Sequence, residues 1–326
     1  MAWYISIIGI RSLCEAAKLP DKPINLSLMI KFIQVCLMKN KRAIVGIAIL
    51  ALGITLKAQN TIPFSVYEDT LTTLCRKIWK AKDDSSRLAA NAIFLEKYKS
   101  TLSLHSAFNH PFDSLSGISK LKSGDGKIRI STWNVPLNNG TFRYYGFIEV
   151  NDGHLYILRE NDSRPADWEN RLISYDNWYG AVYYKLITVY YNKEVYYTLL
   201  GWDGNNNNSN FKMIDILIFN NSGIPGFGKA IFKTPDGTRN RVVIEYSEKS
   251  SALLRYDYQT LIIQKRNGTR EKKAWMIVTD KLIPMLPTMQ GIRKYYVPSG
   301  DTYDAYIFNE GFWNFVENVK VANNMH

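Results

Sequence analysis

Cysteine and histidine are scarce in this chain: three Cys and four His among 326 residues. Cys14 and Cys36 lie upstream of a segment laid out like a secretory signal peptide, so an exported product keeps only Cys75 and forms no intrachain disulfide. Cys75 falls on the apolar stripe of a predicted helix and reads as a small core residue. His105, His110 and His154 are scattered and His326 is terminal; with no HExxH and no Cys/His cluster, a zinc site of ordinary spacing is excluded. Gly-x-Ser-x-Gly is absent. Gly223-Ile-Pro-Gly-Phe-Gly228 has Pro225 inside it and no following Lys-Ser/Thr, so it is not a phosphate-binding loop. No repeat of fixed period occurs. A clustered basic stripe is missing too: residues 1–59 hold eight Lys/Arg against two Asp/Glu, which is half of the net +12, and the mild bias that remains argues against a nucleic-acid partner.

Present instead is a cationic start, Met38-Lys-Asn-Lys-Arg42, followed by the uncharged run Ala43–Leu56 and then Lys57-Ala-Gln-Asn60. That order fits export and cleavage near Ala58–Gln59. At 14 residues the run falls short of the roughly 20 that a membrane span needs, so no transmembrane span is expected in the mature chain. Residues 1–37 are read as an upstream extension called in frame, and 38–59 as the signal peptide. No Cys follows the cut, so no lipoprotein anchor is expected.

Residues 60–105 carry the helical period. Leu71, Leu74, Cys75, Ile78 and Trp79 mark one face; Leu88, Ala92, Leu95, Tyr98 and Leu102 mark another, after the start signal Asp83-Asp-Ser-Ser86. Together they predict an antiparallel helical hairpin. Residues 106–126 are turn-rich and read as a linker. From 127 to 326 short runs of Tyr, Val, Ile, Trp and Thr alternate with Gly, Asn, Asp and Pro, which predicts about twelve strands joined by hairpins. The runs 252–258 and 261–265 read as separate strands, and Ala166–Ile173 as one short helix. The expected fold class is α+β, mostly β: a helical hairpin followed by a predominantly antiparallel β domain built as a sandwich or a curved, barrel-like sheet.

Two groups of side chains are candidate sites. Asp203, Asn205, Asn207 and Ser209 put oxygens at alternate positions, the arrangement that suits Ca²⁺, although Gly204 and Ile214 depart from the EF-hand pattern. Tyrosine comes in doublets, at 144–145, 183–184, 190–191, 196–197 and 295–296, and each doublet in a strand sends one ring to each face. Tyr145, Tyr184 and Tyr197 with Trp178 and Trp202 are therefore candidates for stacking on a sugar, with Trp133 and Trp168 as further platforms; the preferred alternative is that these rings are half-buried strand residues whose second face the helical hairpin covers. Carboxylates for an acid–base pair include Glu149, Asp152, Glu160, Asp167, Glu169, Asp203, Asp215, Glu245, Asp280, Asp301 and Asp304, but no pair is singled out by spacing and no catalytic residue is assigned.

Leu200-Gly-Trp-Asp-Gly-Asn205, Phe227-Gly-Lys-Ala-Ile-Phe232, Arg241-Val-Val-Ile-Glu-Tyr-Ser247, Leu254-Arg-Tyr-Asp257 and Ser299-Gly-Asp-Thr-Tyr-Asp-Ala305 form a series that resembles a group of uncharacterised exported proteins of Bacteroidota-type bacteria. The likeness covers about residues 60–320 and implies an exported envelope protein, periplasmic or associated with the outer membrane. It supplies no catalytic residues, and Asp280-Lys-Leu282 stands where the group reads Asp-His-Leu. Two functional readings follow. The first is a non-enzymatic cell-envelope protein that binds a protein partner within a complex. The second is a glycan-binding or glycan-hydrolysing protein that uses Tyr/Trp stacking and carboxylates.

Overall fold

The computed structural model describes residues 63–161, 167–265 and 268–319. The expected extension at 1–37 and the signal peptide at 38–59 lie outside them.

Helices α1 (Phe64–Lys80) and α2 (Asp84–Leu102) form the expected hairpin. Asp83 caps α2: its Oδ1 accepts the Ser86 amide at 2.8 Å, satisfying an N–H that the helix itself cannot. Lys77 and Lys80 close α1, where cations complement the helix dipole.

Sixteen strands follow among the described residues, in three sheets. The first sheet holds β1 (Ser119–Lys122), β2 (Ile128–Pro136), β3 (Phe142–Val150) and β4 (Leu155–Leu158) in sequence order. The second is ordered β5 (Ile173–Ser174), β9 (Pro225–Phe227), β8 (Ser209–Phe219), β7 (Glu194–Asp203), β6 (Val182–Tyr191), with β12 (Val242–Ser247) also paired to β8. The third runs β11 (Gly237–Arg239), β10 (Phe232–Thr234), β16 (Phe312–Val319), β15 (Tyr296–Asn309), β14 (Gly268–Pro284), β13 (Leu254–Lys265). Pairing is antiparallel except where β10 meets β16.

Strand alternation explains the stacking. On β2 and β3, Trp133, Val135 and Phe147 meet Leu71, Cys75, Phe94 and Tyr98 of the hairpin. Ile128, Ile130, Tyr144 and Ile148 face the other way, onto Tyr183, Tyr197, Leu199, Met213 and Leu217 of the second sheet. The remaining face of that sheet, with Tyr196, Leu200, Ile214 and Ile216, packs on Leu254, Ile277, Tyr306 and Trp313 of the third. The result is four layers, a helical pair and three sheets, with the middle sheet covered on both faces. The fold is mostly antiparallel β, as expected, but it has one more sheet than a sandwich and no closed barrel.

Three local readings change. The linker at 106–126 belongs to the packed unit that starts at Pro63: Ala107, Phe112 and Leu115 are fully buried and Ser119–Lys122 pairs with β2. Arg129 holds it there. Its guanidinium forks onto Glu149 at 2.5 and 2.6 Å and also donates to the carbonyls of His110 and Ala107. Of the helix expected at Ala166–Ile173, Ala166 lies outside the described residues and 167–173 hold only a 3-10 turn, Trp168–Asn170, because Asp167 sits in the left-handed region at φ 56° and Ile173 pairs with Phe227. Lastly, 252–258 and 261–265 are parts of one strand, β13.

Candidate functional site

The aromatic residues singled out from sequence do not share a surface. Trp178 is fully buried, its Nε1 donating to the Tyr183 hydroxyl at 3.2 Å. Tyr197 is buried too, and its hydroxyl donates to Asp125 at 2.7 Å. Tyr145 stacks on Trp133 in the layer below the helices, and Trp202 lies edge-on to Phe142. Tyr184 alone of the five is exposed, at 37%, with its hydroxyl on the Leu254 carbonyl. Tyr196 and Tyr197 do point to opposite faces, but each face of the middle sheet has a neighbouring sheet over it. Stacking on a ligand is thereby excluded for Trp178 and Tyr197.

The expected cation loop is tied to its neighbours. Asp203 Oδ1 accepts the Tyr144 hydroxyl at 2.8 Å and the Asn205 amide at 2.7 Å; the Asn205 side chain donates to Ser209, Ser209 donates to Glu245, and Asn207 donates to the Asn139 carbonyl. Each of the four side chains thus serves a different partner. Tyr144 is the hub, since its hydroxyl also accepts the Gly204 amide at 2.8 Å. A β-carbon on Gly204 would run into the rings of Phe142 and Trp202. Gly204→Ala should therefore lower stability by about 1–3 kcal/mol, measured by chemical denaturation.

Where the second and third sheets meet, a cleft of about 670 Å³ opens. Trp168 and Phe211 line it from the second-sheet side, their ring centroids 6.2 Å apart. Tyr306 and Phe315, 5.3 Å apart, line it from the third. Among these rings lie the acids Glu169, Asp236, Glu245, Asp280, Asp304 and Glu317 and the cations Arg239, Arg241, Lys281 and Arg293. A bulge in β14 between Asp280 and Leu282 locally breaks the ladder at the cleft wall.

Electrostatics single out the same place. Burial, reinforced by Asp167 and Asp236 against Arg239 and Arg241, pushes the Glu169 carboxyl above its ordinary range. Burial and Glu317 do the same to Asp304, against the Asn318 amide and Lys281. Asp280 is raised by burial, opposed by the Leu253 amide and Arg255. The Tyr306 hydroxyl is held protonated, first by burial and then by the field of Asp304, Glu169 and Asp236. Raised carboxyls gathered in one cleft are a physical mark of a binding or reactive site.

At the inner wall stands a fully buried ion pair. Arg241 Nε donates to Asp215 Oδ2 at 3.0 Å, and the rest of the guanidinium donates to the carbonyls of Phe227, Arg171 and Trp168. Tyr179 donates to the same Asp215 oxygen at 2.5 Å and also meets the Tyr183 hydroxyl. Burial raises the Asp215 pKa against the pull of Arg241. Because Arg241 grips the Trp168 carbonyl, this pair fixes the turn that brings Trp168 and Glu169 to the cleft.

Of the carboxylates named from sequence, Glu169, Glu245, Asp280 and Asp304 reach this cleft. Phe211, Arg241, Arg293, Tyr306 and Phe315 were not anticipated. One signal was available for the ion pair: Asp215 interrupts the apolar run Met213–Phe219, and an ionised group inside a buried strand demands a partner.

Among the described residues no helix is long and apolar enough to cross a membrane, and no group of three His, Cys, Asp or Glu is placed to hold a metal ion. No protein-family model matches the chain, and no curated protein or solved structure is significantly similar to it.

Proposed function

We propose that this chain is an exported binding protein whose cleft between the second and third sheets takes a hydroxyl-rich ligand of the oligosaccharide class. The observation that carries the reading is the meeting, in one cavity, of two aromatic pairs with Glu169, Asp236 and Asp304. Sugar rings offer apolar C–H faces that suit aromatic side chains, and hydroxyls that donate to carboxylates. The cleft favours the second of the two readings from sequence, keeping Trp168 among its platforms and replacing the others with Phe211, Tyr306 and Phe315.

Titration calorimetry with neutral, amino and acidic oligosaccharides tests this. One class should bind, and Asp304→Asn, which loses a charged hydrogen bond, should weaken it by about 10- to 100-fold. Affinity should fall with acidification from a pH above the usual carboxylate value of about 4, because Glu169 and Asp304 take up protons early and lose the charge that strengthens their hydrogen bonds. If no class binds, or if Asp304→Asn and Phe315→Ala both bind as the parent does, the cleft is not the site.

A further inference from the structure

The connection from β14 to β15 exposes apolar side chains in a way no other described stretch does. Ile283, Met285, Leu286 and Ile292 are 44%, 44%, 53% and 46% exposed, four large apolar residues within one ten-residue stretch. The strands pair up to Pro284 and Tyr296, so residues 285–295 lie beyond the last rung of the ladder.

This loop is ordered by its own hydrogen bonds. The Met285 amide donates to Tyr295, Met289 to Leu286, Gln290 to Pro287, Ile292 to Met289 and Tyr295 to Ile292, all at 2.9–3.2 Å. The Gly291 amide donates to the Tyr296 hydroxyl at 2.9 Å. Pro284 and Pro287 have no amide hydrogen to satisfy. Six of the ten backbone amides between 285 and 295 are thus satisfied within the loop or by Tyr296, which lowers the cost of taking them out of water.

Charge and ring chemistry point the same way. Between Asp280 and Asp301 there is no acidic residue, while Lys281, Arg293 and Lys294 are basic. Arg293 lies over the Tyr296 ring and Lys294 over Tyr295, at 4.7 and 5.2 Å. Exposed apolar side chains beside Tyr295, Arg293 and Lys294 suit a bilayer surface, where acyl boundary, aromatic level and phosphate follow in succession.

We propose that this loop docks the protein on an anionic lipid surface, with Met285, Leu286 and Ile292 entering the interface and Lys294 at the lipid phosphates. The test is co-sedimentation of the full chain with phosphatidylcholine vesicles, with and without phosphatidylglycerol. The parent should bind the phosphatidylglycerol vesicles preferentially. The double variant Met285→Ser, Leu286→Ser should reduce the bound fraction by about tenfold, because it removes most of the apolar area that would enter the lipid. Its melting temperature should stay at the parent value, both side chains being about half exposed. Lys294→Gln should reduce binding and flatten its salt dependence.

Binding by the double variant equal to the parent's would assign the lipid affinity to Ala43–Leu56 and overturn the proposal. Equal binding to both vesicle types, or to neither, would overturn it as well. Capture of a stoichiometric envelope protein by the parent but not by the double variant, with no lipid binding, would make the loop a protein interface instead. Oligosaccharide titrations of the double variant should match those of the parent, so failure of the cleft and failure of the loop are separately visible.

Discussion

Arg241→Ala should cost about 3–5 kcal/mol of folding stability, read as a lower denaturant midpoint at unchanged slope. The guanidinium is fully buried and makes four donations, to Asp215 and to three backbone carbonyls. Alanine leaves the Asp215 carboxylate, itself fully buried, with no counter-charge, and it leaves the carbonyls of Trp168, Arg171 and Phe227 without this donor. The variant should also acquire a distinctive pH dependence. Burial already raises the folded pKa of Asp215, and loss of Arg241 removes the main force opposing that rise. A carboxyl whose folded pKa exceeds its unfolded value of about 3.9 binds more protons when folded, so the variant should be most stable in acid and lose stability as pH rises. The paired variant Arg241→Met, Asp215→Leu removes both charges and should recover a good part of the loss. An Arg241→Ala protein as stable as the parent, or one whose stability rises with pH between 4 and 7, would deny the pair this role.

Trp313→Ala should cost a comparable amount, about 3–5 kcal/mol. Trp313 is fully buried between the second and third sheets, 5.2 Å from the Phe308 ring and 6.3 Å from Tyr256. Its Nε1 donates to the buried Thr198 hydroxyl of the middle sheet at 3.0 Å. Its backbone amide donates to Ile231 beside the parallel pairing of β10 and β16. Alanine would open a cavity and strand Thr198. Trp313→Phe keeps most of the volume and loses only the indole donor, so about 1–2 kcal/mol is expected. Similar losses for the two variants would mean that the hydrogen bond, and not the packing, dominates.

The helices could be read because Leu71, Cys75 and Ile78 recur at helical spacing and Asp83 marks a start; the long strands could be read because β-branched and aromatic runs end at Asn-Gly and Asp-Gly turns. Alternation along a strand says which residues share a face, but not what lies against it. Tyr196 and Tyr197 were placed correctly on opposite faces, and both proved covered, because a third sheet cannot be inferred from the second one's own sequence. The same limit applies to the cleft. Its walls come from residues near 168, 211, 236, 280, 293, 304 and 315, and only tertiary packing joins them. Glu169 and Asp304 stood among eleven carboxylates that spacing could not rank. The segment at 106–126 looked like a linker because Gly, Asn and Asp outnumber its core residues, yet Phe112 and Leu115 suffice to bury it once Arg129 has carbonyls to hold.

A sheet covered on both faces has a consequence for how this chain is made. The ribosome releases β7 and β8 well before β16, and the face that carries Leu200, Ile214 and Ile216 waits for Trp313. At ~5–20 residues per second, the roughly hundred residues in between take about 5–20 s to synthesise. Over that interval β9 and β12 complete the sheet and β13 to β15 supply Leu254, Ile277 and Tyr306, while the place that Trp313 fills stays open. A chain halted before Phe312 therefore does not simply lack a strand: it leaves the apolar surface under Trp313 uncovered, and exposed surface of that kind promotes aggregation.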